Sequence, residues 1–347
     1  MTKVITYICI AVAICAIITA GIYLGLKKPL QPKDTVEKYN SNEPIDLVVT
    51  WVCSDPDNDT LWEHYARQEG IEPDTNNSRV QSLDEIRYLF RSIDMFAPWI
   101  NHVYLVSVTG APEWLDTNHP KLTVVPHIDI FKNPDHLPTF NSYAIEAQVH
   151  RIPGLSERFI FCNDDMFFAA PVSPSDFFDS QGKAKLVFGD KLTNKWLNLA
   201  DDGHKYAASW RNTKNCLETR DNISITHNLF HQAKPMLKSV MFEAEEWYPD
   251  IFEDTVSRRL SSVETYNIFG LVTYYGLATD RFYVGEIPNI MVAWELNTEH
   301  HRKELDKAMK NRPKLLCINN LTKDDFEIWY NFAESYYHRQ SAFELVG

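Results

Sequence analysis

Two adjacent aspartates, Asp164 and Asp165, stand with Asn163 directly after the apolar run Phe159-Ile160-Phe161-Cys162, and the chain turns apolar again at Met166-Phe167-Phe168. A run of that length and composition reads as a buried strand, and open α/β sheets bind ligands at the carboxyl ends of their strands. Neighbouring carboxylates repel each other and are costly to desolvate unless a hard divalent cation, Mg2+ or Mn2+, sits between them and a substrate phosphate. The same three residues also fit a solvated turn with an Asx motif. On the doublet alone both readings stand.

His231 precedes Pro235, a residue suited to the first turn of a helix with Leu237, Val240, Met241, Ala244 and Trp247 on one face. Beside a helix N-terminus an imidazole would meet backbone N–H groups that attract phosphate, and its ordinary pKa suits a general base near neutral pH. A capping or surface histidine is the competing reading. Arg79 and Arg259 lack an evident helical partner and are candidates to clamp a diphosphate. Arg87 and Arg91, four apart among Asp84, Glu85 and Asp94, read instead as a solvated, ion-paired face.

Other chemistries fail on sequence. There is no G-x-S-x-G elbow, P-loop or G-x-G-x-x-G. Asp and Glu outnumber Lys and Arg 47 to 34, without a basic cluster interleaved with aromatics, which excludes nucleic acid as an expected partner. Cys53, Cys162, Cys216 and Cys317 are widely scattered and show no zinc-binding spacing; one or two disulfides and buried free thiols are both compatible with them.

The elements that must position these residues read as an α/β domain. Strand-length apolar runs at 45–52, 103–108, 122–125 and 159–162 alternate with helical patterns. The clearest helix starts at Ser82, where Ser82 and Glu85 form a capping box ahead of Leu83, Ile86, Leu89, Phe90 and Ile93. Another follows Thr322, with Phe326, Trp329, Phe332, Ala333 and Tyr336 at helical spacing. Ahead of the domain, the uncharged run 4–26 is long enough to cross a bilayer core of ~30 Å. The expected plan is a cytosolic tail at 1–3, a spanning anchor at 4–26, a polar stem at 27–44 and a folded α/β domain at 45–347. A cleaved signal peptide is the rival for 4–26. Lysine flanks would leave the domain in the cytosol, whereas sequons at Asn58, Asn76, Asn222 and Asn320 favour a lumen.

The stretch RVQSLDEIRYLFRSIDMFAPWINHVYLVS, followed by VVPHIDIFKNPDHLPTFNSYAIEAQVHRIPGLSERFIFCNDDMFF, resembles the Stealth family. That family includes bacterial capsule hexose-1-phosphate transferases and the α/β subunit of eukaryotic N-acetylglucosamine-1-phosphotransferase. IDLVVTWVCSDP, HQAKPMLKSVMFEAEEWYPDIF and KLLCINN with the later Ser341-Ala342-Phe343-Glu344 are similar to its other three blocks. The resemblance implies a Rossmann-like fold and transfer of a sugar-1-phosphate, GlcNAc-1-phosphate by default, from a UDP-sugar donor to a glycan or glycoprotein acceptor. UMP would leave, and a divalent cation would assist. It also implies a single-pass type II protein of the Golgi with a luminal catalytic domain. Asp164 and Asp165 would hold the cation and His231 would be the base. Arg79 and Arg259 would steady the phosphates, while Asn141, Ser142 and Asn163 would line the donor pocket. Departures fall at Cys53-Ser54, at Asn320 where Asp is common, and at Ser261 where an Arg is expected, so Arg259 takes that role only through a shifted loop. The large insertions of the animal subunit are missing, which leaves acceptor choice to a simpler surface or an accessory subunit. A metal-dependent glycosyltransferase that releases UDP, and a non-catalytic glycan-binding or assembly subunit, are the alternatives.

Overall fold

The computed structural model describes residues 43–52, 56–70, 83–292, 299–319 and 326–345. The chain divides into two compact units, Met1–Glu37 and Lys38–Gly347. The first lies outside the described residues, as do the expected anchor at 4–26, the stem as far as residue 42, and Arg79, Ser82, Cys53 and Asn320. Among the described residues no helix is long and apolar enough to cross a membrane.

Twelve strands are described: β1 (Ile45–Thr50), β2 (Val103–Val106), β3 (Leu122–Val125), β4 (Arg158–Asn163), β5 (Met166–Phe168), β6 (Ala184–Leu186), β7 (Phe188–Lys191), β8 (His227–Leu229), β9 (Lys234–Leu237), β10 (Phe282–Val284), β11 (Asn289–Val292) and β12 (Leu315–Ile318). The main sheet has the order β3-β2-β1-β4-β9; its first four strands are parallel and β9 closes the edge antiparallel to β4. Strand order reverses between β1 and β4, the kind of switch point at which parallel sheets open a ligand crevice. The fold is therefore α/β, as the alternating runs suggest, and its strand order is of the Rossmann type.

Strands buried on both faces need near-continuous apolar sequence. Leu47, Val48 and Val49 of β1 and Phe159, Ile160, Phe161 and Cys162 of β4 are each at most 1 % exposed. Each large side chain so buried contributes roughly 1.5–3 kcal/mol. The helix Ile268–Ala278 packs here, and its Phe269 ring meets Phe161 edge-on at 4.6 Å between centroids. A second sheet, β11-β12-β5, takes the chain as it leaves β4, with β5 antiparallel to β12 and Met166 opposite Cys317.

The helix expected from Ser82 runs Glu85–Phe96 and buries Ile86, Leu89, Phe90 and Ile93 as its stripe requires. Its N-cap is Asp84 in the left-handed region, φ 63°, a conformation that Asp tolerates better than most residues. Arg91 does not lie on a solvated face. It is buried, with Nε donating to Glu344 Oε1 at 2.8 Å and Nη1 to Glu334 Oε1 at 2.9 Å. Ser341 Oγ and the Ala342 N–H both donate to Asp94 Oδ2, so the Ser341-Ala342-Phe343-Glu344 segment latches the C-terminal end of the chain onto this helix. The helix expected after Thr322 is Phe326–Tyr336, and its Trp329 and Ala333 are buried.

Pro235 corrects one expectation. It lies within β9, opposite Ile160, and the helix begins only at Lys238. An edge strand tolerates proline because one side of its backbone has no ladder partner. His231 consequently belongs to the loop between β8 and β9, not to a helix entrance. Cys162, Cys216 and Cys317 are buried free thiols, so no disulfide occurs among the described residues.

Candidate active site at the acidic turn

β1 and β4 end side by side, with Thr50 paired to Asn163. Thr50 Oγ1 donates to Asn163 Oδ1 at 3.1 Å, which fixes the amide at the switch point and leaves its two N–H donors for a ligand oxygen. Asp164 and Asp165 form the turn that carries the chain from β4 into β5. The Asp165 carbonyl accepts from the Ile318 N–H at 3.0 Å, so the end of β12 holds the turn from the other side.

The register of β9 completes the site. Lys234 lies opposite Phe161, so the antiparallel chain before it passes the carboxyl end of β4. That path brings His231 Nε2 to 3.5 Å from Asp165 Oδ2, with the two side chains 29 % and 20 % exposed. Cys317 Sγ, from β12, donates to the same Oδ2 at 3.6 Å. The three donor atoms lie within 4.8 Å of one another. Asp165 Oδ1 and His231 Nε2 are buried without a hydrogen-bond partner, an arrangement that costs free energy unless a further group satisfies them.

Electrostatics concentrate at the same place. Burial, then the charges of Asp165 and Glu85, push the Asp164 carboxyl well above the usual carboxylate range. Burial and Asp165 likewise raise the Cys317 thiol. Burial lowers the Lys234 ammonium, although Glu146, Cys162, Cys317 and Asp165 all favour its charge. Glu146, at the end of the helix Ser142–Glu146, is pushed up to about 7 by burial, with Lys234 pulling the other way. Perturbed titratable groups gathered at a strand end mark a candidate functional site.

Of the residues expected there, Asn163, Asp164, Asp165 and His231 come together. Asn141 does not present a free amide: it is fully buried, caps the helix Ser142–Glu146, and donates from Nδ2 to the Thr255 and Arg258 carbonyls. Ser142 is exposed at the first position of that helix. Arg259 donates to the carbonyls of Pro138 and Asp135 at 3.0 and 2.9 Å and lies over the Tyr65 ring, so its guanidinium holds the 135–140 loop. Cys317 joins the site without any local sequence signal, and Lys234 couples to Asp165 electrostatically. Cys317 stands 152 positions from Asp165, and no short-range spacing could join them. A separate polar concavity of about 400 Å³, lined among others by Asn212, Thr219, Arg220, Asp250 and Tyr266, contains none of these groups.

Residues 79–186 match the model of Stealth protein conserved region 2. An exopolysaccharide phosphotransferase of Streptomyces coelicolor is 35 % identical over 311 residues, covering 87 % of this chain and 52 % of that relative. The exopolysaccharide phosphotransferase CpsY of Mycobacterium leprae is 38 % identical over 248 residues, covering 68 % of this chain and 44 % of its own length. The chain thus spans about half the length of these relatives. Among solved structures, the galactosyltransferase LgtC in complex with donor and acceptor sugar analogues superposes with a TM-score of 0.43 and 11 % identity, over 84 % of this chain and 96 % of that one.

These findings correct the expected location. The relatives are bacterial exopolysaccharide phosphotransferases, which argues against a type II protein of the Golgi. The inference of a lumen from four sequons fails with it, since a short Asn-x-Ser/Thr pattern arises readily by chance.

Proposed function

We propose that this chain, one of the Stealth proteins through its conserved region 2 at residues 79–186, transfers a sugar-1-phosphate from a nucleotide sugar to a polysaccharide hydroxyl. The observation that carries the reading is the convergence of Asn163, Asp164, Asp165 and His231 at the β1/β4 switch point, inside or facing the matched segment. The names of the relatives supply the reaction class, and a UDP-sugar is the donor inferred for this chain.

A divalent cation held by the acidic turn would neutralise charge on the donor diphosphate. The chain's own residues do the rest. Asn163, braced by Thr50, offers N–H donors to a phosphate oxygen at the strand ends. Asp164 and Asp165 are fixed in a two-residue turn between two sheets, so the acidic groups are held in place before substrate arrives. His231, expected as a free base, has its Nε2 turned to Asp165 and works from the same side as the carboxylate. Phosphoryl transfer through a loose transition state draws its rate chiefly from positioning and charge stabilisation, so it does not require a strong base in His231's place.

The test is to incubate the purified full chain with a panel of UDP-sugars, UDP-GlcNAc among them, and an exopolysaccharide acceptor. A sugar phosphodiester seen by mass spectrometry in the wild type, and missing with Asp165→Asn, supports the reading. An unmodified acceptor with every donor overturns it.

A further inference from the structure

We propose that Asp165, His231 and Cys317 form a three-ligand site for a borderline, thiophilic divalent cation of the zinc type. The inference rests on the reading that a cation works at the acidic turn, and it changes which ion that is and what holds it. The acidic doublet alone suggests Mg2+ or Mn2+, which prefer oxygen ligands. An imidazole and a thiol placed beside a single carboxylate oxygen are a different donor set, one that suits zinc and disfavours magnesium.

The distances fit. Zinc lies ~2.0–2.1 Å from nitrogen, ~2.0–2.2 Å from carboxylate oxygen and ~2.3 Å from sulfur, so a tetrahedral site separates N and O by about 3.3 Å and S and O by about 3.5 Å. Here His231 Nε2 stands 3.5 Å and Cys317 Sγ 3.6 Å from Asp165 Oδ2, and no pair of the three exceeds 4.8 Å. Three elements converge to make this set: the β4–β5 turn, the loop before β9, and β12. β12 is the inner strand of its sheet and Cys317 is 1 % exposed, so the sulfur is held in position by the fold. The buried His231 Nε2 makes no hydrogen bond even to the nearby carboxylate, and a ligated ion would satisfy it. Three protein ligands leave a fourth position open, the pattern of zinc sites that also bind a substrate or water. On binding, the Cys317 thiol gives its proton to solvent and the thiolate becomes the ligand.

The test uses the full chain, freed of metal with a chelator and titrated with Zn2+ by calorimetry and with Co2+ by absorption. A thiolate-to-cobalt charge-transfer band is expected, together with a preference for Zn2+ over Mg2+ of at least about 100-fold. Cys317→Ser is expected to abolish the band and weaken Zn2+ binding by roughly 10- to 100-fold. His231→Ala should weaken binding comparably while circular dichroism shows a folded chain, which guards against Cys317→Ser failing to fold. Co2+ binding without the band, or Zn2+ affinity unchanged in His231→Ala, would overturn the proposal. Cysteine-dependent Zn2+ binding in a chain that transfers no sugar phosphate would sink the proposed reaction and leave this site standing. Transfer with Mg2+ and no band would do the reverse.

Discussion

His231 Nε2 faces Asp165 Oδ2 across 3.5 Å, although 66 positions separate the two in the chain (231 minus 165). The contact exists because β9 runs antiparallel beside β4 and continues backward past its carboxyl end. Under the proposed function the two residues act as one unit, and units of that kind lose activity non-additively. Asp165→Asn and His231→Ala should each lower transfer by at least about 100-fold, and the double variant should be little worse than either. A steady-state comparison of the four proteins checks this; a double loss equal to the product of the two single losses would mean that the residues act separately.

Arg91 is expected to matter for stability, not chemistry. Its guanidinium, 9 % exposed, ties the helix Glu85–Phe96 to Glu344, 6 % exposed, and to Glu334 on the helix Phe326–Tyr336. Removing one partner leaves a buried charge uncompensated, so Arg91→Ala should cost about 3–5 kcal/mol in urea unfolding. Arg91→Leu combined with Glu344→Leu should recover much of that loss. Equal destabilisation in the single and double variants would contradict the pairing.

Glu146 sets a pH dependence in the neutral range. Burial raises its folded pKa from 4.5 to about 7. Below 4.5 the carboxyl is neutral in both states and costs nothing; the penalty grows as pH rises from 4.5 to 7 and is complete above that. Glu146→Gln should therefore stabilise the protein at pH 8, by up to about 3 kcal/mol, and leave it nearly unchanged at pH 4. Unfolding midpoints at the two pH values decide it, and a shift of equal size at both would be the contrary result.

Glu245 works in the opposite sense. Burial would raise its carboxyl, but hydrogen bonds from His150 and Arg151 outweigh that and hold it at about 2, below its ordinary 4.5. The stability it contributes is complete above 4.5 and is lost as pH falls toward 2. Glu245→Gln should flatten the acid limb of the stability curve. An unchanged acid limb would show that other carboxylates dominate there.

Much of the fold is legible in the amino-acid sequence because burial writes itself there. Phe159-Ile160-Phe161-Cys162 is apolar throughout since β4 is covered on both faces, and that run alone is enough to place the acidic turn at a strand end. Proline is ambiguous. Pro235 fits a helix start and a sheet edge equally well, and only the tertiary setting decides, so residue type and spacing pick out His231 but not its surroundings. Arg91 is misplaced by local charge pattern for a related reason, because its partners Glu334 and Glu344 lie some 250 positions away while Asp84 and Asp94 stand close in sequence. Cys317 is invisible as a site residue because β12 reaches the acidic turn through a second sheet that no periodicity describes.

The central claim, that the bond broken lies within the donor's diphosphate, is tested most directly by identifying the nucleotide released. The full chain, supplied with a UDP-sugar, acceptor polysaccharide and either Zn2+ or Mn2+, should release UMP in amounts equal to the phosphodiester formed. Release of UDP with a plain glycosidic linkage in the product would contradict it.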